Sequence, residues 1–152
     1  MKRTDLYFAI VMLAIFVPFF VSPELYSWYK GFNADHAMVM AFLKFGILAT
    51  LGEMLGCRIS TGNYTTPTFG VVPRMVVWGL LGMAISMAMT VFSAGIPTFI
   101  TAMGGGELVA SFAADGLSWG KLVVALAISV MMNTFFAPVF MTFHKITDTH
   151  IA

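Results

Sequence analysis

Apolar residues run along this chain in long blocks separated by short polar stretches, not in the alternation of a half-buried strand. Four blocks stand out, at residues 6–22, 37–57, 75–94 and 121–143. About 20 helical residues cross the hydrocarbon of a bilayer and about 17 can suffice, so each block predicts one transmembrane helix. Pro18, near the end of the first, predicts a kink or a stop. Residues 23–36 are polar but carry Tyr26, Trp28 and Tyr29, the side chains of a membrane–water interface. Pro97, Gly104-Gly105-Gly106 and Gly116 predict a broken segment after the third block. Residues 97–103 are too short to cross and are expected to lie in the interface or re-enter. Residues 144–152 are expected to form a short tail.

The expected fold class is therefore an all-α integral membrane protein. It is a four-helix transmembrane bundle of one domain, residues 1–152, with a short interfacial or re-entrant segment between the third and fourth helices. Composition supports lipid as the solvent: 59% of residues are hydrophobic and 10% charged, with a mean hydropathy of +0.90. Soluble domains are about 25% charged. A net charge of +1 leaves no basic patch for nucleic acid. The single cysteine, Cys57, excludes an internal disulfide and reads as a packing residue. The basic start Met1-Lys2-Arg3 resembles a secretory signal, but no small-x-small cleavage site follows, so an uncleaved first span is expected. With four spans, Lys2, Arg3, Arg58, Arg74 and Lys145 share one side, against Lys30 and Lys121 on the other. Both termini should face the cytoplasm or its organellar equivalent, with a bacterial inner membrane the expected location.

The second block contains two charges, Lys44 and Glu53. A charge at membrane depth costs at least about 2.5–3.5 kcal/mol, so each needs a partner, a wet cavity or a use. Nine residues separate them, which places them on roughly opposite helix faces. Lys44 can extend its stem to the outer interface, or line a cavity. Glu53 is expected to face the bundle interior, paired with Arg74 first and Arg58 second, or to contact a solute or proton. Gly46, Thr50, Glu53 and Cys57 share its face, and Gly52 and Gly56 form a GxxxG beside it.

The third block carries a stripe of Gly79, Gly82, Ser86, Thr90 and Ser93, the composition of a face that meets other helices or water. In the fourth, Ala125, Ser129, Asn133 and Ala137 stand four apart, and Pro138 should kink the helix by leaving the Thr134 carbonyl without its donor. Counted from the block ends, Glu53 and Asn133 fall at similar depth, roughly 20–24 Å from the outer side, and are expected to form one polar layer. Glu53, Arg74, Ser86, Ser129 and Asn133 are thus the candidate pore or polar core. Met83 and Met87 are read as packing residues, and a metal site from His144, Asp148 and His150 is the minor alternative to a plain tail. No nucleotide loop, zinc motif or nucleophile–base arrangement is present, so no cofactor or enzyme activity is expected.

Together these motifs resemble a family. Gly46 with Gly52-Glu53 resembles the G-x(5)-GD pattern of the Mpv-seventeen and peroxisomal twenty-two-kilodalton membrane proteins. Arg74 with Gly79 and Gly82 looks like that family's arginine and glycines at the next span. Lys121 leading to Asn133-Thr134-Phe135-Phe136-Ala137-Pro138 is similar to its K…DQ-x(3)-A-P segment. Glu53 stands where the family has aspartate, and Met132 where it has an acidic residue. The family's W-x(2)-W-P signature has no counterpart here, as expected of a short, divergent relative or of a piece of a longer chain. His144-Lys145-Ile146-Thr147-Asp148-Thr149-His150 is closer to prokaryotic relatives. The resemblance implies pore-like permeation of small solutes, with no particular substrate.

The leading expectation is a low-selectivity channel for small solutes or ions, working as a homo-oligomer in the lipid bilayer. The alternative is a non-conducting structural or assembly protein in which the same residues are interhelical glue. A wet cavity touching Glu53 and Asn133 would separate the first from the second.

Overall fold

The structure, a computed structural model, describes residues 3–151. The helices are α1 (Arg3–Val21), α2 (Pro23–Asp35), α3 (Ala37–Thr61), α4 (Val71–Ala102), α5 (Gly106–Ala113), α6 (Trp119–Met131) and α7 (Ala137–Ile151), with a π-helical turn, Met132–Phe136, between the last two. No strand occurs among the described residues, and the chain is all-α. Four helices are long and apolar enough to cross a membrane: α1, α3, α4 and the continuous run Trp119–Ile151. This is the architecture of a multi-pass membrane protein.

The chain divides into two compact units, residues 1–40 and 41–152. In the first, α1 passes through Pro18 and stops at Val21. There Ser22 turns extended and accepts a hydrogen bond from the Leu25 N–H at 3.2 Å, with Pro23 in the first helical position. The stretch with the interfacial aromatics is therefore itself a helix, α2. Phe19 of α1 meets Tyr29 of α2 edge to face, ring centroids 5.3 Å apart.

The second unit contains the rest of α3 and everything after it. Glycines set how closely α3 and α4 approach. A Cβ on Gly46 would lie 2.9 Å from the Met75 carbonyl oxygen, and one on Gly79 or Gly82 would collide with the rings of Phe42 or Phe45. Gly52 and Gly56, by contrast, have nothing within 4 Å. Leu81 and Ala88 of α4 and Val124 and Ile128 of α6 are buried, with Val124 fully enclosed. Gly120 lets the start of α6 press against α5, where its Cβ would meet the Leu108 carbonyl at 2.9 Å.

Two expected boundaries differ. Residues 97–103 are not a separate segment, because α4 runs through Pro97 to Ala102. A proline removes one helical donor, and nearby threonine hydroxyls can bond the backbone where the ladder is broken. Here the Thr98 and Thr101 hydroxyls bond the Ala94 and Pro97 carbonyls at 2.9 and 3.0 Å, on either side of the break, while the carbonyl that loses its helical donor is that of Ser93. The stop comes at Gly104, whose φ of 90° closes a Schellman turn: the Gly104 N–H bonds Thr101 O and the Gly105 N–H bonds Ile100 O. The short helix in this region is α5. Second, the residues expected as a tail continue the fourth span as helix up to Ile151.

Candidate functional site: an ion-pair cluster joining three helices

The C-terminal part of α3, the start of α4 and the end of α7 meet at one end of the second unit. Gly70, at φ 60°, opens α4, and a Cβ there would strike the Ile151 side chain, so the end of α7 lies against the start of α4. Helix period then selects the side chains. Arg74 and Trp78 are one turn apart on α4, and His144 and Asp148 one turn apart on α7.

Arg74 is the centre. Its Nη1 donates to Glu53 Oε2 at 2.5 Å, and the same nitrogen makes an ion pair with Asp148 Oδ1. Its Nε donates to the Phe69 carbonyl at 2.6 Å, and the guanidinium carbon stands 4.7 Å from the Phe69 ring centroid. Trp78 Nε1 donates to the other Glu53 oxygen at 2.9 Å. His144 packs its ring against Trp78, centroids 4.4 Å apart, and holds Nε2 3.7 Å from Glu53 Oε1. The His144 Nδ1 is buried without a hydrogen-bond partner.

Glu53 thus has both oxygens engaged, and Arg74 is only 12% exposed. The crevice enclosed by Glu53, Arg74, Trp78, His144 and Asp148 leaves no room for a water-sized sphere. Beside it, an apolar groove of about 330 Å³ runs between α4 and α7, lined by Leu80, Ala84, Phe136, Val139 and Phe143. Thr147 borders both spaces.

The other sequence candidates lie apart from this cluster. Arg58, the second choice for Glu53, donates to the Gly62 carbonyl at 2.5 Å and caps the end of α3. Ser86 is half-buried on α4, where its carbonyl accepts from Thr90 at 3.0 Å. Ser129 and Asn133 are exposed, and the Asn133 amide donates to the Ser129 carbonyl at 2.9 Å. Asn133 is eleven residues from His144, about 16 Å along the helix, so it occupies a different layer from Glu53. The single polar layer expected for the two fails although the helices start at Ala37 and Trp119, close to where the depth was counted from, because equal distances along two helices are equal depths only if the helices are straight and level with each other. Pro138 is accommodated by the π turn, in which the Ala137 N–H reaches back five residues to Met132 O. Lys44 is half-buried and engaged in interactions of its own. No cluster of three or more His, Cys, Asp or Glu capable of holding a metal occurs among the described residues.

Sequence reasoning missed Trp78, His144 and Asp148 as members of the site. Their four-residue spacing, on α4 with Arg74 and on α7 with each other, was the available signal. Comparisons with known protein families, with characterised proteins and with solved structures give no match to this chain.

Proposed function

We propose that the protein is a non-conducting structural or assembly component of a membrane, in which the Glu53–Arg74–Asp148 cluster locks three helices together. One observation carries this reading: both oxygens of the intramembrane carboxylate are engaged, by Arg74 and Trp78, and the crevice between these side chains has no room for water. A carboxylate that passes a solute or proton needs a wet approach, and buried charges otherwise persist in membranes as partnered groups. The neighbouring groove is apolar and suits acyl chains better than a polar solute. No catalytic role is proposed for the cluster, in which Arg74 and Trp78 hold the Glu53 carboxylate and Arg74 also pairs with Asp148. In the proposed orientation the cluster end faces the cytoplasm of a bacterium, where Arg58, Arg74 and Lys145 concentrate positive charge.

A second reading, a low-selectivity channel as the family resemblance implies, draws on a different observation. Ser129 and Asn133 expose polar groups on a helix long enough to span, so a polar path could form between copies of the chain. The test is flux. Full-length protein reconstituted into liposomes should hold a trapped dye and a potassium gradient as tightly as protein-free vesicles. Leak above that baseline, with ion preference altered by Glu53→Gln, would overturn the structural reading in favour of the channel.

A further inference from the structure

The centre of the last span carries a polar surface that its own helix does not satisfy. Asn133 lies 14 residues from Trp119 and 18 from Ile151, about 21 and 27 Å from the two ends of the run. Its side chain has two N–H donors and one carbonyl acceptor. One N–H is used, on the Ser129 carbonyl. Among the described residues the other N–H and Oδ1 find no partner, nor does the Ser129 hydroxyl, and both residues are exposed. Pro138 adds to this by supplying no N–H to the turn before it, and the backbone there is already opened into a π turn. Lipid tails can satisfy none of these groups.

We infer that this face, Ala125, Ser129, Asn133 and Ala137, binds a second copy of the chain through a reciprocal Asn133–Asn133 amide pair. An amide is self-complementary: across a two-fold axis, the free N–H of each Asn133 meets the free Oδ1 of the other. An isologous interface requires that kind of match. The rest of the face is small, with Ala125 and Ala137 flanking Ser129 and Asn133, so two backbones can come close enough for the short asparagine side chains to reach. A different protein would have to present a matching amide at the same depth, whereas a second copy does so by construction. The inference rests on Trp119–Ile151 spanning the bilayer, and holds whether or not the protein conducts.

The test is cysteine cross-linking of the full chain in native membranes, with Cys57→Ser removing the endogenous thiol. Ser129→Cys is compared with Val91→Cys, an exposed apolar position in the interior of α4. Under mild oxidation, Ser129→Cys should give at least about tenfold more disulfide dimer than Val91→Cys. Adding Asn133→Leu should abolish that excess, while Asn133→Gln should retain it. Equal cross-linking at positions 129 and 91, or an excess that survives Asn133→Leu, would overturn the inference. So would an intrachain disulfide between Ser129→Cys and a cysteine scanned through residues 6–21, because the chain's own first helix would then cover the face. Because the 129-against-91 comparison needs no change at Asn133, misfolding of Asn133→Leu cannot decide the outcome. Liposome tightness is a separate readout, so failure of the pairing and failure of the structural reading are distinguishable.

Discussion

Replacing Arg74 by glutamine should be the most damaging single change in the cluster, because it leaves Glu53 and Asp148 facing each other without a cation. Breaking a buried ion pair from one side costs about 3–5 kcal/mol. Here Glu53 is 20% and Asp148 30% exposed, so solvent screening reduces this to about 2–3 kcal/mol. Loss of the 2.6 Å bond to the Phe69 carbonyl adds about 1 kcal/mol. The total, about 3–4 kcal/mol, corresponds to a fall of roughly 6–16 °C in Tm for a chain of this length. Thermal unfolding of the purified protein in detergent, followed by tryptophan fluorescence and circular dichroism, measures it. The mechanism makes a second demand. If the loss comes from uncompensated charge, the triple variant Glu53→Gln, Arg74→Gln, Asp148→Asn should regain at least half of it, since a neutral cluster carries no unpaired ion. A shift under about 2 °C for Arg74→Gln, or a triple variant no better than the single one, would refute the reasoning.

Two further outcomes follow from the same contacts. Trp78→Phe removes a charge-assisted hydrogen bond to Glu53 and should cost about 1.5 kcal/mol, an effect that shrinks in a Glu53→Gln background when a double-mutant cycle is run by the same melts. Gly82→Ala should destabilise by about 1–3 kcal/mol because its Cβ meets the Phe45 ring, whereas Gly52→Ala, with open space around it, should be neutral or gain about 0.5–1 kcal/mol. Melts of the two variants side by side check this, and equal effects would mean that the α3–α4 contact is not set by glycine.

The spans were legible because a bilayer imposes length and apolarity directly on the sequence. The meeting of Glu53 with Arg74 was also within reach, since a charge inside an apolar block demands a partner and the next arginine opens the following helix. Hydropathy could not see where the last helix ends. His144, Lys145, Asp148 and His150 lower the local average, so the polar end of α7 read as a tail, although its polar face is what seats it on Arg74. A different signal shortens α4: Pro97 predicts a break, but a spanning helix tolerates proline, and the stop needs the left-handed turn of Gly104. The placement of Glu53 and Asn133 in one layer fails for another reason: the two helices begin at Ala37 and Trp119, within two residues of the block starts, so equal counts along them are not equal levels in the bundle.

That one guanidinium serves two carboxylates also sets an order in time. Glu53 and Arg74 lie 21 residues apart on consecutive helices, so they can neutralise each other as soon as that hairpin enters the bilayer. Asp148 is synthesised 74 residues after Arg74 and can join only once the final span is in place. During insertion the early pair shields both charges from lipid, and the late carboxylate then fastens the last helix onto an assembly already electrically quiet. Chain order thus allows the cluster to close from the first pair to the last carboxylate, and not the reverse, as the chain is made.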